Sequence, residues 1–269
     1  MVGRRPFLLF TVLALGYAFL YGPIASLIVY SFNESRLVTV WTGFSLKWYG
    51  ELARNEQMLA AAGLSLKVAT LSATLAVCLG TLAALALTRI GRFRGRTLLS
   101  LMVTAPLVMP EVITGLSALL LFVALDQLVG WPSGRGMTTI VLTHVTFSLA
   151  YVTIVVRSRL GVLDGSLEEA ALDLGARPLK VFFVITVPTI APALAAGWLL
   201  AFTLSLDDLV VASFVSGPGA TTLPMVVYSS VRLGVSPQIN ALATLIVVVV
   251  TAAIAVAGWL LHRGEVSRR

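Results

Sequence analysis

Charge is scarce in this sequence, and so are the residues that usually carry chemistry. Only 12% of its 269 residues are Asp, Glu, Lys or Arg, beside two histidines and one cysteine. The single Cys78 rules out an intrachain disulfide. No group of His, Cys, Asp and Glu has metal-site spacing, and no nucleophile stands in a recognisable constellation with a base. There is no Walker A segment, whose Gly-rich backbone and Lys would cradle phosphate. The pattern is that of a non-catalytic chain, and if ATP drives it, the ATPase is another polypeptide. A net charge of +7 suggests nucleic acid at first sight, but the basic residues sit singly or in small groups at the ends of apolar runs and build no continuous face.

What the chain has in abundance is apolar surface. Hydrophobic residues make up 58% and the mean hydropathy is +0.96, more than a water-soluble fold of this length can bury. Runs of about 20 apolar residues cross a bilayer core as helix, and six are expected, near Phe7–Tyr30, Leu59–Leu87, Leu98–Leu125, Met137–Val156, Thr189–Phe214 and Ile239–Leu261. Alternating-strand patterning is missing, so the expected fold is an all-α membrane protein forming a single transmembrane domain over 1–269. The first run follows Arg4 and Arg5 but exceeds the length of a signal-peptide core, and is read as a retained anchor. Thirteen of nineteen basic residues fall on one side if the spans alternate: Arg4, Arg5, Arg89, Arg92, Arg94, Arg96, Arg157, Arg159, Arg177, Lys180, Arg263, Arg268 and Arg269. The positive-inside rule then puts both termini in the cytoplasm, and loops 31–57, 126–136 and 215–238 outside.

One polar stretch, Asp164 to Lys180, interrupts this pattern within a cytoplasmic loop of about 158–188. Leu163, Leu167, Ala170, Ala171 and Leu174 recur at helical spacing, with Asp164, Glu168, Glu169 and Asp173 off that stripe. Gly175 suits a helix C-terminus that needs positive φ, and Pro178 suits the first turn of a second short helix whose apolar side is Leu179, Phe182, Phe183 and Ile185. By pattern alone the stretch is either an amphipathic connector lying on the membrane or a docking element.

Glu169-Ala170-Ala171, Gly175 after three intervening residues, and Ile185-Thr186-Val187-Pro188 resemble the EAA signature of ABC-importer permeases, departing only at Val187, where that signature carries leucine. Further runs resemble the polyamine branch of that family: Ser31-Phe32-Asn33, Leu37 to Trp41, Ala105 to Pro110, Leu204 to Asp208, Ser216 to Gly219, Thr222-Leu223-Pro224 and Pro237 to Leu242. They cover nearly the whole chain and favour the putrescine type, while spermidine-type permeases share several of them. The resemblance implies a type I ABC-importer permease fold in the bacterial inner membrane. It implies a heterodimer with a second permease subunit, an ATPase dimer that holds ATP and Mg, and a periplasmic polyamine-binding protein. This chain would bind no cofactor of its own. Glu169, Ala170, Ala171 and Gly175 would couple it to the ATPase.

Acids within apolar spans are costly, about 2.5–3.5 kcal/mol each on insertion scales, and mark functional sites. Glu111 lies within the third span after Pro106 and Pro110, which interrupt the helix ladder and free carbonyl oxygens. It either faces a cation pathway or pairs with a polar group beside a simple kink. Asp207 and Asp208, near the outer end of the fifth span, either admit a cation or cap a helix and join subunits. Trp41, Trp48, Tyr49 and Tyr228 are read as interface anchors or ammonium-facing rings. Ser45 is a candidate cap for a short external helix. For His144, a hydrogen bond between helices is favoured over a proton relay. Two other classes stay open, a self-contained secondary cation transporter or channel and a non-conducting scaffold or sensor.

Overall fold

The computed structural model describes the backbone of residues 5–37, 40–233 and 236–266, and the side chains of 8–37, 40–232 and 236–252. Arg4, Val38, Thr39, Arg268 and Arg269, and the side chains of Arg5 and Arg263, lie outside that description. The helices in chain order are α1 (Arg5–Tyr30), α2 (Lys47–Ala53), α3 (Glu56–Thr88), α4 (Arg96–Thr104), α5 (Glu111–Val129), α6 (Met137–Val162), α7 (Ser166–Asp173), α8 (Pro178–Val181), α9 (Val187–Leu206), α10 (Val210–Val215), α11 (Leu223–Leu233) and α12 (Pro237–Val266). Among the described residues there is no strand, only an isolated bridge between Asn33 and Phe44.

Five helical stretches of the described residues are long and apolar enough to cross a bilayer: Leu8–Tyr30, Glu56–Thr88, Glu111–Val129, Met137–Val162 and Pro178–Leu206. The sixth expected span falls on α12, whose described apolar part, Pro237–Ala252, is shorter than a full crossing. Two expected spans are not continuous. The third, Leu98–Leu125, breaks after a short 3₁₀ turn at Ala105–Leu107, and α5 begins only at Glu111. Pro106 and Pro110 have no amide hydrogen, and Pro110 is extended at φ −57° and ψ 138°. Glu111 is therefore the first residue of a helix, not a residue partway along one. The fifth, Thr189–Phe214, breaks after Leu206, so Asp207 and Asp208 stand in a turn between α9 and α10.

The chain packs as two compact units, Ala60–Val226 and the pair of segments Met1–Leu59 and Val227–Arg269. In the second of these, α12 packs on α1 and α2. The loop before α2 is organised around buried Asn33. Its side chain accepts from the Ser35 and Thr42 amides at 3.2 and 3.1 Å and donates to Val40 O at 2.7 Å. Trp48 is buried and its indole N–H donates to Asn33 O at 2.6 Å, so it is a core residue of this unit and not an external ring. Trp41 and Tyr228 are exposed as expected. Ser45 Oγ accepts the Lys47 amide at 3.2 Å, at the start of α2.

The larger unit is built on α6, which packs against α9 and buries Ile140, Val141, Val145, Val152, Val156 and Leu160. Two of its buried hydroxyls are satisfied within the helix: Thr143 and Thr153 donate to Thr139 O and Leu149 O, four residues back, at 2.8 and 2.7 Å. Thr139 also reaches across to Val215 O at 2.7 Å, fastening the start of α6 to the end of α10. α10 in turn lies on α5, closely enough that a Cβ on Gly115 would sit 2.7 Å from the Phe214 ring and 3.3 Å from Val211 Cα. Gly115→Val is expected to push these helices apart and cost about 1–3 kcal/mol, read as a lower unfolding temperature of the detergent-solubilised protein against Gly161→Ala, which has open space around it.

Candidate functional site

The two breaks in the larger unit face one another. Between them lies a cavity of about 450 Å³ lined by Pro106, Pro110, Glu111, Thr114, Phe147, Tyr151, Leu204, Asp207 and Asp208, among others. All three acids singled out from the sequence meet there, and residues of α6 supply the aromatic wall. Irregular backbone at membrane depth is tolerated where it lines such a cavity, because lipid cannot satisfy its polar groups.

The acids are not equivalent. Asp208 is nearly buried, its side chain 7% exposed, and its carboxylate is fully engaged. Oδ1 accepts the Val211 amide at 3.2 Å, and Oδ2 accepts the Ala212 amide at 2.7 Å and faces His144 Nε2 at 3.1 Å. His144 Nδ1 lies 2.6 Å from Ser205 Oγ on α9. An ionised Asp208 requires the proton on Nε2, so in the neutral ring Nδ1 accepts from the Ser205 hydroxyl. Asp208 thus caps α10, and His144 bridges α6 to α9, the interhelical role expected for it. Glu111 and Asp207 have no ion-pair partner among the described residues, and both side chains open onto the cavity. Two anionic groups, an aromatic wall and freed backbone form a lining suited to a cation carrying more than one charge.

A second feature is the polar elbow, α7 to α8. Gly175 takes φ +84°. Its amide donates to Leu172 O at 2.9 Å and the Ala176 amide to Ala171 O at 3.0 Å, the paired closing bonds of a Schellman end. Pro178 then opens α8, which passes through a π-turn at Phe182–Thr186 into α9. Asp164 accepts from the amide and hydroxyl of Ser166 at 3.1 and 3.0 Å, and the amide bond chiefly holds its carboxyl below the usual range. This support for the start of α7 is therefore present above the ordinary carboxylate pKa and lost as pH falls through the depressed one. Glu169 and Ala170 are exposed and Ala171 half-buried. Around them Leu174, Leu179 and Phe183 are 89%, 73% and 64% exposed, too much apolar surface for a helix turn that meets only water. Glu168 bonds out of the elbow, to Arg89 and Thr186. Sequence reading passed over this contact, because nothing local links Arg89 to a residue so distant in the chain.

Helices interrupted around an acid-lined cavity, with a structured polar elbow between two spans, are the build of a membrane transport subunit. The chain belongs to the family of inner membrane components of binding-protein-dependent transport systems, whose pattern matches residues 76–263. It is 63% identical to the putrescine transport system permease protein PotI of Escherichia coli K12 over 257 residues, 96% of this chain and 92% of that one. It is 46% identical to the spermidine/putrescine transport system permease protein PotC of the same strain, over 86% of this chain and 85% of that one. Among solved structures, a chain of a bacterial ABC transporter that imports alginate shares the fold at TM-score 0.72 and 18% identity, with 97% of each chain covered. The alginate transporter in complex with a periplasmic protein bound to alginate pentasaccharide shares it at TM-score 0.71 and 18% identity, over 94% of this chain and 93% of that one. The chain is accordingly an ABC-importer permease, a multi-pass protein of the inner membrane.

Because His144 satisfies Asp208, His144→Leu is expected to leave a nearly buried carboxylate one donor short, at about 1–3 kcal/mol. The measurement is the thermal unfolding midpoint in detergent, with His144→Gln, whose amide still donates, recovering part of the loss.

Proposed function

We propose that this chain forms half of the translocation pathway of an ATP-driven polyamine importer whose preferred cargo is putrescine. It would do so as one six-span domain over 1–269 with both termini in the cytoplasm. The partners in this reading are a second permease subunit, an ATPase dimer binding ATP and Mg, and a periplasmic polyamine-binding protein. The observation that carries the reading is the convergence of Glu111 and Asp207 on one cavity, neither with an ion-pair partner among the described residues. An alkyl diammonium brings two positive charges joined by a methylene chain, which matches two carboxylates beside Phe147 and Tyr151. Putrescine is favoured over spermidine because the relative named for putrescine alone is 63% identical, and the one named for both is 46% identical.

Each of the three acids has a distinct part. Glu111 and Asp207 contact the passing cation, and Asp208 holds the turn that presents Asp207. At the elbow, Glu169, Ala170, Ala171 and Gly175 meet the ATPase, the alanines admitting its surface close to the backbone and the exposed leucines and Phe183 filling its cleft.

Removing one charge-assisted contact is worth about 1.5–3 kcal/mol, or roughly 10- to 100-fold. Glu111→Gln and Asp207→Asn should each reduce putrescine uptake by the full assembly by about that factor, with assembly intact. Unchanged uptake in the double variant would remove the pathway assignment. At the elbow, Gly175→Val forces a branched residue to positive φ at about 1–2 kcal/mol and should release the ATPase or uncouple hydrolysis from uptake; co-purification and coupling at normal levels would count against docking there.

A further inference from the structure

The first helix of the elbow is tied to the membrane helices by a polar joint, while the packing of the elbow rests on α8, where Val181 is buried. No residue of α7 is buried. Instead Glu168 uses both carboxylate oxygens: Oε2 pairs with Arg89 Nε at 3.1 Å, and Oε1 accepts the Thr186 hydroxyl at 2.7 Å. Arg89 directly follows α3, and its own amide still donates to Leu85 O at 2.8 Å, so the guanidinium stem is an extension of that helix. The end of α3 is held firm by Arg96, which donates to Leu87 O and Gly91 O at 2.8 and 3.1 Å. Thr186 is buried at the last position of the π-turn that feeds α9, the helix that ends at Leu206, just before Asp207. One side chain on a helix without buried residues is thus tied to α3 in one direction and to α9 in the other.

We infer that Glu168 is a positioning residue for transport, the joint through which displacement of α7 is passed to α3 and α9. The inference rests on docking of the ATPase at the elbow but assigns the step behind it. Beside the contacts of α7 with α8 and the π-turn, which bury none of its side chains, the directional part of the transmission passes through one carboxylate. It therefore depends on the charge and reach of that group and on both of its partners. Glu168 is half-buried and turned to the protein, while Glu169 beside it is exposed. Contact with the ATPase and transmission of its motion are consequently separable at adjacent positions.

The test uses the full assembly in proteoliposomes, measuring ATPase stoichiometry, ATP hydrolysis and putrescine uptake together. With E168A the ATPase should remain bound and hydrolysis continue, while uptake per ATP falls at least about fivefold, the scale of a coupling energy near 1 kcal/mol. T186V, which removes one donor at nearly constant volume, should lower the same ratio at least about twofold. The exchange R89E/E168R should restore the ratio above either single variant, a rescue that a merely structural contact would not deliver at unchanged hydrolysis. Uptake per ATP at the native level in E168A overturns the inference, as does an exchange no better than the singles. Loss of the ATPase from E168A overturns it too, since Glu168 would then be part of the docking surface. Failure of docking itself is read separately, from Gly175→Val remaining fully coupled.

Discussion

The larger unit depends on how one nearly buried carboxylate is satisfied. Asp208 stands where α9 has ended and α10 has not begun, a place where amide donors would otherwise face a low-dielectric interior. By accepting from Val211 and Ala212 and from His144, it supplies α10 with its missing partners and ties the turn to α6. Ser205 completes the chain from the imidazole back to α9. Because these contacts consume Asp208, the break can persist as a fixed shape, and Asp207 next to it is held at the cavity with no ion-pair partner among the described residues. The opposite wall is made by different means, two prolines that deny the backbone its ladder between α4 and α5 and leave Glu111 at a helix start.

Cavity and elbow share a helix. α9 follows the π-turn that contains Thr186 and ends at Leu206, so the element that would feel the ATPase leads directly into Asp207, an acid of the proposed pathway. A continuous helix between two such ends is a direct mechanical link, although Pro192 within it removes one ladder hydrogen bond. In that respect the π-turn matters, since a locally widened helix end is a common point of adjustment, and it coincides with the place where Glu168 attaches.

Much of this was legible in the chain itself, for physical reasons. Helical spans follow from long apolar runs, and the Gly175 turn follows from spacing, because both depend on local chemistry. The motif residues stand on the elbow, Glu169, Ala170 and Gly175 exposed and Ala171 half-buried. The prolines signalled a break near Glu111, yet its consequence, two separate helices with the acid at the start of one, needed the backbone itself. Asp208 and Asp207 look alike in sequence, and the folded turn with its Val211 and Ala212 amides, together with the placement of His144 from α6, distinguishes the bonded acid from the open one. Trp48 reads as an external ring by pattern, while its burial depends on Asn33, whose hub role is made by loop folding rather than by any pattern. Glu168 and Arg89 were overlooked for the same reason: their pairing joins two distant helix ends.

The central claim is that this chain conducts a diamine only when a separate ATPase works it through the elbow. Its most direct test is uptake of labelled putrescine into proteoliposomes, comparing the chain alone under an ion gradient with the chain assembled with its permease partner, ATPase and loaded binding protein in the presence of ATP. The account predicts accumulation in the full assembly that stops when ATP is withheld, and none with the chain alone. Accumulation by the chain alone, driven by the gradient, would contradict it.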